Sequence, residues 1–180
     1  MVLLQEARDL YAQLQDEGGV LWALLGMSDI HQATGDDARA ASLAEESIVV
    51  ARKLNDRLGL AWALNNLGLI LIEAGRFENA VAPLARATRI SGDVALFQNN
   101  LGTALEGSGH FAAAKTAYQA ALAADSNYAK SAASLARAGA ASSFGNRVDG
   151  SRGRRKVDGL PIQGPSMDAL TVPPCRATRL

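Results

Sequence analysis

Cysteine is almost missing from this chain. Cys175 stands alone among 180 residues, which excludes an internal disulfide and a cysteine-rich zinc site. Histidine is nearly as scarce, and His31 and His110 are not at metal-ligand spacing from each other or from the cysteine. No apolar run approaches the roughly 20 residues that a membrane-spanning helix needs. The opening stretch MVLLQEARDL is too short and too charged for a secretory signal. The expected setting is therefore reducing and cytoplasmic, with no membrane partner. No nucleophile and base stand in a recognisable arrangement, so neither an enzyme nor a cofactor is expected. The glycines of GTALEGSGH match no phosphate-binding loop, and the acid pairs Asp36–Asp37 and Glu45–Glu46 read as exposed helix ends.

What remains is rich in alanine and leucine and poor in β-branched runs, a composition that favours helices over strands. The hydrophobic content of 48% is too high for a wholly disordered protein, although aromatics reach only 5%. The formal net charge is zero but unevenly spread: residues 1–140 carry 11 Lys/Arg against 15 Asp/Glu, and residues 141–180 carry 7 against 3. A mildly acidic body thus precedes a basic tail.

The body repeats itself. The stretch NNLG occurs at Asn65–Gly68 and again 34 residues on at Asn99–Gly102. The same spacing pairs Gly75 with Gly109, Phe77 with Phe111, Ala80 with Ala114, Leu84 with Tyr118 and Ala87 with Ala121. At a spacing of 40, Trp22 pairs with Trp62, Leu24 with Leu64, Ser28 with Gly68, Gly35 with Gly75 and Ala40 with Ala80. Leu3, Leu14 and Asp16 pair with Leu43, Leu54 and Asp56 at that same spacing. Self-similarity at a fixed period marks a stacked array of helical hairpins.

The residues that carry this period resemble the tetratricopeptide repeat. Leu67–Gly68, Gly75, Phe77 and Ala80, and again Leu101–Gly102, Gly109, Phe111 and Ala114, fall on that family's pattern. Gly68 and Ala80 would let two crossing helices approach closely, and Gly75 and Gly109 would take the positive φ that ends a first helix. The sequence departs from the pattern at Ser28 and Asp37 in the first copy, and its tryptophans come two residues before the usual aromatic position. The 40-residue period requires longer helices between the first two copies. With the stretch AWALNNLG, it is similar to arrays in bacterial signalling regulators and in kinesin light chains.

The resemblance implies an all-α fold, a right-handed α-solenoid of antiparallel helix pairs. The expected organisation is a helical repeat domain at residues 1–139: a partial repeat at 1–19, repeats at about 20–56, 57–93 and 94–127, and a capping helix at 127–139. A basic, Gly/Ser/Pro-rich disordered tail would follow at 140–180. Apolar spacing and breakers predict helices at about 2–15, 20–33, 37–54, 58–74, 77–90, 94–107, 111–124 and 127–138. Asp36, Asp93 and the stretch Asp125 to Asn127 are the expected start signals, and Pro83 should bend the fifth helix. The first helix has no cap, so Leu3, Leu10 and Leu14 would face either a partner or further repeats of the same polypeptide.

First helices line the concave side in the resembled family, which turns spacing into candidate sites. One stripe holds Trp62, Asn65, Leu69, Ile72 and Glu73; the next holds Leu96, Asn99, Thr103 and Glu106; the first holds Trp22, Leu25, Asp29 and Gln32. An amide both donates and accepts, so Asn65 and Asn99 suit a peptide backbone. Asn66 and Asn100 sit one step round, where tying helices together is as natural a role as binding. Trp22 and Trp62 suit either an anchor or a core position. The candidate ligand set is thus Trp22, Asp29, Trp62, Asn65, Asn66, Leu69, Glu73, Asn99, Asn100, Thr103 and Glu106.

Residues 20–34, 61–74 and 95–108 contain no Lys or Arg, and their acids are Asp29, Glu73 and Glu106. An anionic peptide would be repelled and a neutral or basic one favoured. The expected function is a non-catalytic protein-interaction scaffold that binds an extended peptide. The alternative is a regulatory or sensor segment of a larger bacterial signalling or transcription regulator. Nucleic acid is not an expected partner, because the RGRRK cluster of the tail is small.

Overall fold

In the computed structural model the described residues are 2–149, with side-chain surroundings described through 139. They form eight helices and no strand: α1 (Val2–Gln13), α2 (Glu17–Ala33), α3 (Asp37–Leu54), α4 (Arg57–Glu73), α5 (Phe77–Ile90), α6 (Ala95–Gly107), α7 (Phe111–Ala124) and α8 (Ala129–Asp149). The long period has its expected cause. Helices α2, α3 and α4 run 17, 18 and 17 residues, whereas α5, α6 and α7 run 14, 13 and 14.

The turns inside each pair are built alike. Gly35, Gly75 and Gly109 take φ of 80°, 70° and 83°. The next amide returns to a carbonyl five residues back, Asp36 to His31 (2.9 Å), Arg76 to Leu71 (2.8 Å) and His110 to Leu105 (2.8 Å). This is the glycine-terminated C-cap that satisfies orphan carbonyls at a helix end. Between pairs the chain uses other devices. Asp16 and Asp56 cap α2 and α4 by accepting from the amides of Gly19 and Gly59, each at 2.9 Å. Asp36 caps α3 as expected. Asp93 does not cap α6, whose N-cap is Val94 with no side-chain bond. Asp125 accepts from the Asn127 amide in a local turn, and α8 begins only at Ala129.

Close crossing within each pair depends on small residues. A Cβ on Gly68 would lie 2.4 Å from Leu84, and one on Gly102 2.4 Å from Tyr118. In the first pair Ser28 replaces the glycine and is accommodated because its hydroxyl donates to the Ala40 carbonyl at 2.9 Å. Pro83 lies within α5, which continues through it.

Each helix packs on its chain neighbours, and each first-type helix also touches the next, α2 with α4, α4 with α6 and α6 with α8. The second-type helices α3, α5 and α7 do not touch one another. First helices close together and second helices splayed apart make the array curve, with the first helices on its inner side.

Helix α8 outruns the expected boundary at 139 and continues to Asp149. The remainder of the expected tail, including RGRRK and Cys175, lies outside the described residues, as does Met1.

Candidate functional site

The four asparagines are all buried, with 2%, 6%, 7% and 6% exposure at Asn65, Asn66, Asn99 and Asn100. They lie between successive first helices and bond across those interfaces. Asn66 Nδ2 donates to Asp29 Oδ1 at 2.5 Å, from α4 back to α2. Asn100 Nδ2 donates to Asn65 Oδ1 at 2.9 Å, from α6 back to α4. Ser131 Oγ donates to Asn99 Oδ1 at 3.1 Å, from α8 back to α6. Each NN pair therefore reaches both ways: its second amide bonds the preceding repeat and its first accepts from the following one. The pairing of amide with amide across repeats was not legible in the sequence, because the repeat aligns like with like. The bonds join unlike positions.

The remaining candidates divide by exposure. Trp22 is 48% exposed on α2, while Trp62 is half-buried and packs edge-on against Phe97, with ring centroids 5.0 Å apart. Asp29 and Glu73 are exposed and Leu69 is half-buried. The Thr103 hydroxyl donates to the Asn99 carbonyl of its own helix at 3.1 Å. Glu106 accepts from the Tyr118 hydroxyl at 2.6 Å and lies 3.7 Å from the Arg137 guanidinium on α8. Burial first, and then the Glu106 carboxylate, raise the Tyr118 pKa.

Asp29 carries the electrostatic signature of the ladder. Desolvation between α2 and α4 raises its pKa above the ordinary carboxylate value, and the bond from Asn66 opposes that rise. In the window between the unfolded and folded values the native state holds more protons, so stability falls as pH rises through it. Asn66→Leu removes the opposing bond. The Asp29 carboxyl should then titrate at higher pH than in the wild type, followed by carboxyl-detected NMR. An unchanged or lower midpoint would show that this bond does not govern the charge.

His31 aligns with Leu71 and Leu105 and is half-buried, with Nδ1 3.2 Å from Asp36 Oδ2. His110 is exposed at the N-cap of α7. Among the described residues no group of three His, Cys, Asp or Glu is arranged to hold a metal ion, and no helix is long and apolar enough to cross a membrane.

Comparison with known proteins gives a consistent picture. Family models described as tetratricopeptide repeats match residues 19–93 and 95–128. Among curated proteins none matches the chain. Similar solved structures include the tetratricopeptide domain of Sgt2 from Aspergillus fumigatus, at 17% identity and a TM-score of 0.64, covering 81% of this chain and 91% of that one. A mutant O-GlcNAc transferase of Thermobaculum terrenum is 25% identical with a TM-score of 0.62; the likeness covers 68% of this chain but only 22% of the transferase. The second tetratricopeptide domain of human RPAP3, in complex with the HSP70 peptide SGPTIEEVD, is 17% identical with a TM-score of 0.56, covering 63% and 89%.

Proposed function

The chain belongs to the tetratricopeptide repeat family, and from that premise we propose that it is a non-catalytic protein-interaction scaffold whose first-helix face receives an extended, neutral or basic peptide segment. The observation that carries the reading is electrostatic. The inner face offers Asp29 and Glu73 to solvent and shares Glu106 with Tyr118 and Arg137, while residues 20–34, 61–74 and 95–108 supply no cation. The peptide held by human RPAP3 has three acids in its last four residues. The stretches 20–34, 61–74 and 95–108, which carry acids and no Lys or Arg, would repel such a ligand and hold its opposite.

In this reading Trp22, Leu69 and Thr103 offer contact to side chains, and Asp29, Glu73 and Glu106 set the preferred charge. Trp62 stiffens the wall from behind through its packing on Phe97. The four asparagines set the spacing of the wall and offer their remaining amide atoms to a backbone.

The test is fluorescence anisotropy with two pools of extended synthetic peptides, one containing lysine and one containing aspartate and glutamate. The lysine pool should bind more tightly, and Asp29→Lys with Glu73→Lys should reverse the preference by about tenfold or more. Equal binding of both pools, or indifference to the charge reversal, would defeat the reading.

A further inference from the structure

The long repeats carry a turn of helix that the shorter ones do without. Helix α3 runs on to Leu54, past Val50, which matches the last residue of α5, Ile90, at a spacing of 40. Helix α4 begins at Arg57, ahead of Ala61, which matches the first residue of α6, Ala95, at a spacing of 34. These added turns, residues 51–54 and 57–60, and the connection between them form a cleft of about 300 Å³, lined by Ala51, Arg52, Asn55, Asp56, Arg57 and Leu60. Its floor is apolar, with Ala51 fully buried and Leu60 half-buried against the same core cluster. Leu54 and Leu58, on the same two turns, are 37% and 50% exposed.

The preceding junction builds the same cleft with different charges. There a cleft of about 520 Å³ is lined by Ala12, Gln15, Glu17 and Val20, which match Arg52, Asn55, Arg57 and Leu60 at the spacing of 40. Gln15 and Asn55 take the same left-handed conformation. The fold therefore makes both turn and cleft without arginine. Arg57 even opposes the helix it begins, because a cation in the first turn faces the positive end of the macrodipole, where Glu17 of α2 is favourable. Arg52 lies in the last turn of α3, where the dipole favours it. Both arginines are exposed, and neither forms an ion pair with the described residues. Lys53 is already paired with Glu17. Asp56, the one acid of the cleft, is held by its N-cap bond to the Gly59 amide.

We propose that this cleft docks an acidic segment of a partner protein, which seats an aliphatic side chain on Ala51 and Leu60 and pairs carboxylates with Arg52 and Arg57. Charge complementarity names the occupant. Two guanidinium groups without partners line an apolar hollow, on a body whose residues 1–140 are acidic overall. Guanidinium and carboxylate match in geometry as well as charge. A nucleic-acid backbone would use the arginines and leave the hollow empty. The chain's own basic stretch at 141–180 has the wrong charge to fill it. The site is separate from the inner face: Glu73 ends α4 at the opposite end from Arg57, about 24 Å away by helical rise. The two surfaces would thus select opposite charges.

Fluorescence anisotropy of the full chain with a labelled peptide, in which aspartates flank a single leucine, tests the proposal. Binding should weaken about tenfold or more in Arg52→Gln with Arg57→Gln, and replacing the peptide's leucine with serine should weaken it comparably. Both arginines are exposed, so the variant should keep wild-type helicity by circular dichroism. It should also bind the lysine-containing peptides as the wild type does, which separates failure here from failure of the inner-face reading. No binding of the acidic peptide to the wild type would overturn the proposal. Unchanged affinity in the arginine variant would also overturn it and move the anion to the basic tail. Indifference to the leucine would do the same, since charge alone would then account for binding. Tighter binding of a uridine oligonucleotide than of the peptide would overturn it in favour of nucleic acid.

Discussion

Gly102→Leu is expected to destabilise the array by about 3 kcal/mol, the upper part of the usual range for overpacking a filled core. The first added carbon already falls 2.4 Å from Cε1 and 2.6 Å from Cδ1 of Tyr118. That ring is fully buried and is tethered by its hydroxyl to Glu106 at 2.6 Å. It has nowhere to retreat without breaking a bond or opening the α6–α7 crossing. For a chain of this length each kcal/mol lowers Tm by roughly 2–4 °C, so a thermal or urea melt resolves the effect easily. Gly139→Ala supplies the control. A Cβ there meets nothing within 4 Å, and removing a glycine from a helix should raise stability by up to about 1 kcal/mol. If the clash is the cause, adding Tyr118→Leu should recover part of the loss. A Gly102→Leu protein as stable as the wild type would show that the crossing is not close.

These crossings were the part of the fold most legible in the sequence. Gly68 and Ala80 already implied helices in near contact; the structure adds the facing partners, Leu84 against Gly68 and Tyr118 against Gly102. The intra-pair turns were legible for a related reason, since only glycine takes their positive φ without strain. The inter-pair turns were not, because Gln15 and Asn55 adopt φ of 57° and 54° without being glycine. Helix starts divided in the same manner. Asp36 caps α3 as its position implied, and Asp16 and Asp56 cap without having been read as start signals, while Asp93 lies one residue outside the N-cap position held by Val94. A one-residue offset of this kind depends on how the preceding helix unwinds, which residue type does not encode.

The candidate site was legible as a face and not as a set of contacts. Spacing put Asn65 and Asn99 on the inner wall and Asn66 and Asn100 one step round. It could not show that an amide on one repeat would find an amide at a different position on the next. That geometry depends on the rotation between repeats, which emerges only when the helices are packed. Glu106 illustrates the same limit. It looked like a free acid of the groove, yet Tyr118 from α7 and Arg137 from α8 converge on it.

Asn65→Ala should cost about 1–3 kcal/mol, because it strands the Asn100 donor in a buried interface. Asn100→Ala should cost a similar amount by orphaning the Asn65 acceptor, 2.9 Å away in the wild type. Replacing both with leucine removes the polar pair while keeping volume, so the double variant should lose much less than the two alanine variants together. A full cycle with matched single leucine variants then gives the coupling across the α4–α6 interface. In a solenoid, stability is close to a sum of repeat terms and nearest-neighbour interface terms. Loss of the α4–α6 bond should therefore weaken hydrogen-exchange protection on the two sides of that interface before it weakens the far end at α2. The same double variant separates the two duties proposed for these amides. If they only set the spacing of the wall, a folded Asn65→Leu/Asn100→Leu protein should bind the lysine-containing peptides within about threefold of wild type, under 1 kcal/mol. If they hold the peptide backbone directly, affinity should fall by tenfold or more with the fold intact, about 1.4 kcal/mol or greater. Additive single-variant losses with no coupling would remove the ladder as a stabilising device and return the asparagines to independent roles.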